Sequence, residues 1–204
     1  MSVEFTVFLG GDGIGKTTVA RRAQAIERDI DLVYWGAWAS VVTKNPLYPQ
    51  SEIDIGKGVE DWTPKSRTDV LTTLVQTVYT QGVLTSTKPY VLVDSYYYRF
   101  FGKETLLKKC TSEFLDRMGR LPVPRKAIVF ESNPYLAWQR KQGQLKRYEY
   151  LSEPTLDDFC SFQEGVHLQY IALLNRQRVP IIWLDPGDEV ECNARKIVQV
   201  FRGE

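Results

Sequence analysis

Short apolar runs alternate along the chain with longer stretches in which apolar residues recur every three to four positions. Residues 3–9 form the first apolar-rich run and read as a strand. Residues 16–27 follow as a helix with Val19, Ala20, Ala23 and Ile26 along one face. DLVYW at 31–35 reads as a second strand. Val70, Leu71, Leu74, Val75 and Val78 then recur at helical spacing, and YVLVD at 90–94 is a third strand ending in a carboxylate. A helix is expected over 103–118 and a fourth strand over 127–131. Asn133-Pro134 opens another helix, with asparagine as cap and proline in the first turn. Thr155 and Asp158 resemble a capping pair for the next helix, whose stripe is Phe159, Phe162, Val166, Tyr170 and Leu173. PIIWLD at 180–185 is the fifth strand. Val190, Ala194, Ile197, Val198 and Phe201 mark the face of the last helix.

Strands that are apolar throughout, alternating with amphipathic helices, predict an α/β fold: a parallel sheet covered on both faces. Residues 36–65 break the rhythm. They are rich in Pro, Gly and polar residues, hold Trp38 and Trp62, and read as a functional loop region rather than a mere connection. No linker divides the 204 residues, so a single domain over 1–204 is expected. The hydrophobic content of 43% suits a sizeable core, and a formal net charge of +1 gives no global pull toward nucleic acid or an anionic membrane. Cys110, Cys160 and Cys192 form no CxxC pair, so neither zinc nor a disulfide framework is suggested. No run approaches the length of a membrane span, and the N-terminal region lacks the pattern of a signal peptide. The expectation is a soluble, cytoplasmic protein.

Chemistry enters at GGDGIGKT, residues 10–17. Gly10, four residues, then Gly15-Lys16-Thr17 matches G-x-x-x-x-G-K-[ST], between an expected strand and an expected helix. Glycines let the backbone turn so that N–H groups point at phosphate oxygens, and the helix beginning near Lys16 adds its positive end. In such a cradle Lys16 would reach the β- and γ-phosphates, and the Thr17 hydroxyl would bind Mg²⁺. The plain alternative is a glycine-rich turn. A second acid is needed for Mg²⁺, and Asp94 is the best candidate; otherwise it caps a turn. Asp185, followed by Pro186-Gly187, reads mainly as a turn residue. RKQGQLKR at 140–147 is half basic and could close over ATP, or could be a solvated basic face. His167 lies mid-helix and reads as a surface or packing residue.

These features, in this order, resemble the thymidylate kinase family of P-loop nucleotide kinases. GGDGIGKTT is similar to that family's phosphate loop, VLVDSYYYRF stands where its Asp-Arg-Tyr strand end stands, and NPYLAWQRKQGQLKRYE is similar to its lid segment. The resemblance implies a three-layer fold with a five-stranded parallel sheet, a basic lid over 140–149, and γ-phosphoryl transfer from ATP with Mg²⁺. It implies that Gly10, Gly13, Ile14, Gly15, Lys16, Thr17 and Thr18 hold the phosphates and that Asp12 sits near the acceptor's sugar. It gives Asp94 a Mg²⁺ or acceptor-activating role, and makes Arg140, with Lys146 or Arg147, the lid cations. Related kinases are often dimers, so a homodimer stays open.

The departures concern the acceptor. Leu9 stands where the family usually has Glu, and Asp94-Ser95 where it has Asp-Arg. GAWASVV replaces its Arg-Glu-Pro-Gly-Gly motif, and no basic residue lies near Thr73. Those arginines grip a monophosphate of about two negative charges. Arg67, Arg99 and Lys103 could substitute. Alternatively the acceptor is an unphosphorylated nucleoside or other small hydroxyl compound, met by Trp35, Trp38, Trp62, Gln76, Tyr79 and the run Tyr96-Tyr97-Tyr98. If the tyrosines continue the strand, at least one should point toward the site. The favoured acceptor on resemblance is a (deoxy)nucleoside monophosphate such as dTMP, with Asp12, Trp38, Gln76, Tyr97 and Arg99 as its candidate ligands. Two other classes are a P-loop ATPase or switch, disfavoured by the absence of an N-K-x-D motif, and a silent relative, disfavoured by intact Lys16, Thr17 and Asp94.

Overall fold

The computed structural model describes residues 4–34, 64–109 and 112–203. Five strands, β1 (Thr6–Leu9), β2 (Ile30–Tyr34), β3 (Tyr90–Asp94), β4 (Lys126–Phe130) and β5 (Ile181–Leu184), form one sheet in the order β2-β3-β1-β4-β5. Every pairing is parallel. The helices among the described residues are α1 (Lys16–Ile26), α2 (Pro64–Thr77), α3 (Tyr98–Leu106), α4 (Ser112–Gly119), α5 (Pro134–Lys141), α6 (Leu156–Arg176) and α7 (Val190–Arg202). A π-helical segment, Val78–Val83, continues α2, and a 3₁₀ turn, Arg147–Glu149, lies between α5 and α6.

Because side chains alternate along a strand, each strand feeds two cores. Val7, Leu9, Val91, Val93, Ala127 and Val129 pack on one face with α2, α3, α4 and most of the α6 stripe. Phe8, Leu92, Ile128 and Phe130 pack on the other with α1 and α7. Burying one side chain such as Phe162 fully stabilises the fold by roughly 1.5–3 kcal/mol. Covering both faces is why these strands are apolar throughout. Asn133 caps α5 by accepting from Leu136 N at 3.0 Å, and Thr155 caps α6 by accepting from Asp158 N at 3.3 Å, as their sequence signals indicate.

Three expectations change. The helix expected over 103–118 is two helices, α3 beginning earlier at Tyr98 and α4 beginning at Ser112; Lys108 turns the chain with φ 54° between them. The strand ends at Asp94, and Ser95 and Tyr96 take left-handed φ values of 68° and 39°. The tyrosine run therefore does not alternate, and Tyr96, Tyr97 and Tyr98 are all buried. Val190 is 41% exposed rather than part of the α7 face. No helix among the described residues is long and apolar enough to cross a membrane.

Candidate functional site

The site forms where β1 and β3 end side by side. Phe8 pairs with Asp94, which sets the terminal carboxylate of β3 beside the turn that follows β1. Thr17 Oγ1 donates to Asp94 Oδ2 at 3.2 Å, and Ser95 Oγ donates to Asp94 Oδ1 at 2.7 Å. A hydroxyl and a carboxylate this close could both enter the shell of one divalent cation, directly or through water. Among the described residues no group of three or more His, Cys, Asp or Glu could hold a metal. A cation here would depend on Thr17, Asp94 and oxygen atoms brought by a ligand.

The turn requires glycine at two places. Gly13 has φ 83°, and a Cβ there would lie 2.5 Å from Lys141 Cγ; Gly15, with φ 101°, is the N-cap of α1. The first turn of α1 has no acidic residue and no side-chain cap, so its amide donors and positive dipole end face the turn. Lys16 is the first helical residue and is 6% exposed. Its Nζ donates to the carbonyls of Gly10 at 3.0 Å and Gly11 at 2.8 Å. Burial pushes its pKa down, against the pull of Asp94 and Asp12.

The basic segment lies across this turn. Arg140 donates through Nη1 to Ile14 O at 2.5 Å and through Nη2 to Pro186 O at 3.0 Å. Lys141 pairs with Glu149 at 2.9 Å. Gln142 and Gly143, with φ 51° and 73°, end α5. The Arg147 backbone begins the 3₁₀ turn, and its side chain lies outside the described residues. Between the glycine turn and Pro186 opens a cleft of ≈ 350 Å³, bordered by Gly13, Thr18, Phe130, Arg140, Pro186 and Asn193. Another cleft, ≈ 260 Å³, opens at the amino ends of β1, β3 and β4 and holds none of the candidate residues.

On the far side of the turn, Asp12 is 4% exposed and enclosed by charge. Arg99 pairs with its Oδ1, Lys103 Nζ with Oδ2 at 2.7 Å, and Gln163 both donates to Oδ2 at 3.3 Å and accepts from the Asp12 amide at 2.9 Å. Burial works against its charge, but Arg99, Lys103 and Lys16 hold its carboxyl well below the usual carboxylate range. Lys103 also donates to Tyr148 O at 2.6 Å and lies 4.5 Å from the Tyr148 ring centroid. Its pKa is pushed down to about 8 by burial and the Arg99 charge, against the pull of Asp12. Arg67 forms a forked pair with Glu104, at 2.5 and 2.7 Å, and the Tyr148 hydroxyl donates to the same carboxylate.

The chain matches no family model and no curated protein.

Of the residues singled out from sequence, the structure brings together Gly10, Asp12, Gly13, Ile14, Gly15, Lys16, Thr17, Thr18, Asp94, Arg99 and Arg140. Asp12, expected near an acceptor's sugar, is a buried counter-ion. Tyr97 does not line the site either. It is 1% exposed, stacked on Tyr98 at 4.4 Å, and its hydroxyl accepts from Gln177 just beyond α6. Gln76 is exposed on α2, where its carbonyl accepts from Thr80. Trp35, Trp38 and Trp62 lie outside the described residues. Asp185 is the turn residue expected, accepting from Gly187 N at 2.7 Å, and His167 is half-buried against Tyr170 and Trp183. Sequence reasoning missed Gln163 and Glu104. Each meets its partner across a long stretch of chain, and no local signal marks it.

Proposed function

We propose that the chain is an ATP-dependent small-molecule kinase of the thymidylate kinase type. The observation that carries this reading is the contact of Thr17 with Asp94 at 3.2 Å beside a glycine turn whose lysine rests on its own loop carbonyls. In the reaction Lys16 exchanges those carbonyls for the β- and γ-phosphates, while loop amides and the amino end of α1 take the remaining phosphate oxygens. Thr17 and Asp94 are the residues that would hold Mg²⁺, which neutralises charge between the two phosphates. Arg140, already over the turn, stabilises charge on the transferred group.

The proposed acceptor is a (deoxy)nucleoside monophosphate such as dTMP. Arg99 supports it: its guanidinium stands at the turn with Nε lacking a partner among the described residues. A second reading, an unphosphorylated nucleoside or other hydroxyl metabolite, is supported by Arg67 and Lys103, which are already matched to Glu104 and Asp12. An ADP-release assay with dTMP, the other monophosphates and their nucleosides separates the two. Turnover with monophosphates alone is the expected result. Turnover with unphosphorylated compounds alone overturns the first reading in favour of the second. Hydrolysis that no acceptor accelerates, but a protein partner does, overturns the kinase reading.

A further inference from the structure

Gln163 reaches the glycine turn from α6 and has no part in the chemistry proposed above. It is 4% exposed, next to Phe162, which packs fully into the core. Its carboxamide makes three hydrogen bonds. Oε1 accepts from the Asp12 amide at 2.9 Å, while Nε2 donates to Asp12 Oδ2 at 3.3 Å and to the Glu149 carbonyl at 3.1 Å. An N–H met at one end and a carbonyl at the other fix the direction of the carboxamide, since the reverse orientation would set donor against donor and acceptor against acceptor. Glu149 ends the 3₁₀ turn, so the same side chain joins the glycine turn to the far end of the basic segment.

The amide that Gln163 holds belongs to the same planar unit as a carbonyl that holds Lys16. No described peptide bond is cis, so the Gly11 carbonyl and the Asp12 N–H point to opposite sides of one plane. The carbonyl accepts from Lys16 Nζ at 2.8 Å, and the N–H donates to Gln163. Turning the unit over would lose both bonds together, and with glycine at 11 the backbone does little to resist that rotation. We infer that Gln163 is a positioning residue for Lys16: by holding the N–H of the Gly11–Asp12 peptide, it keeps the Gly11 carbonyl turned toward the lysine ammonium. Without that acceptor a buried N–H is left unpaired, and the unit rotates to relieve it. The carbonyl then turns away, and Lys16 keeps only Gly10. The inference rests on the phosphate-cradle reading for what Lys16 does in a reaction, and on the hydrogen bonds alone for how the lysine is held.

NMR of the full chain tests it, first without nucleotide. In the wild type the Asp12 amide should be protected from hydrogen exchange about tenfold or more. Exchange at the rate of an unbonded amide overturns the inference, and that measurement needs no variant. Gln163→Met keeps the length of the side chain but not its acceptor. It should abolish the protection of Asp12 and leave the Phe162 and Val166 amides of α6 protected. It should also shift the Gly11 carbonyl carbon in the same direction as Lys16→Ala does, because both variants take the lysine off that carbonyl. A Gly11 carbon that keeps its wild-type position in folded Gln163→Met overturns the inference and leaves Gln163 a packing residue. MgATP added to the wild type should then move the Gly11 carbon toward its position in Lys16→Ala, as the lysine leaves for the phosphates. If MgATP moves no resonance of the turn, the cradle reading falls, and the Gly11 comparison between variants still decides whether Gln163 positions Lys16.

Discussion

On one side of the glycine turn, Thr17 reaches Asp94 across 3.2 Å and Lys16 rests on two neutral carbonyls. On the other, Asp12 is closed in by Lys103, and Arg67 by Glu104. The first side holds its charged groups with partners that a phosphate or a cation can displace. The second has already matched charge to charge in a buried setting, where removing one partner strands the other. Two sets of ionisable residues that look alike in sequence thus divide into groups poised to exchange partners and groups that hold the fold.

That contrast breaks if activity and stability fail to separate. Lys16→Ala should lower kcat/KM by a factor on the order of 10³ or more in the ADP-release assay. Its urea midpoint should stay close to wild type. An active variant would remove Lys16 from the chemistry.

Glu104→Gln should do the reverse on stability. It keeps the shape but removes the Glu104 charge from the Arg67 guanidinium, which is 1% exposed. The expected loss is roughly 3–5 kcal/mol by urea unfolding. A loss below about 1 kcal/mol would mean that the pair contributes no more than an exposed one.

Acid sharpens the comparison further. Arg99, Lys103 and Lys16 hold the Asp12 carboxyl below its free value despite burial, so its folded pKa is depressed. The stability it contributes is fully present above the unfolded pKa of 3.8 and is lost as pH falls below it. Wild-type stability should therefore drop below about pH 4, with a shallower slope in Asp12→Asn. Parallel slopes would show that other carboxylates dominate.

The smallest effect is expected at Gln76, exposed on α2. Gln76→Ala should change stability by no more than about 0.5 kcal/mol and leave turnover with the acceptor unaltered. A marked rise in KM for the acceptor would return Gln76 to the site.

The sheet and most helices were legible because continuous apolar runs and a period of 3.6 are local properties, and the strands and helices carry them. The break within 103–118 was not, because Leu106, Phe114 and Met118 continue a plausible helical stripe across it while Lys108, without glycine's freedom, makes the turn. The tyrosine run misled for a related reason: no Gly or Pro announces that Ser95 and Tyr96 leave the strand. GGDGIGKT was legible as a turn before a helix because its signal spans eight residues. The enclosure of Asp12 was not, since Gln163 reaches it from 151 positions away. A residue type at a motif position states what it can bond to, and only packing decides what it meets.

Lys16 has a kinetic consequence. The carbonyls of Gly10 and Gly11 that hold it are part of the same short loop, so they stay within reach after a nucleotide arrives. Under the proposed reaction, once the γ-phosphoryl group has gone, the lysine has an intramolecular resting place to return to. It can move there stepwise as its remaining contact with ADP weakens, without first standing bare in a dry pocket. Departure of the product is then a handover within the loop, and the turn is reset for the next cycle by the motion that lets the product go.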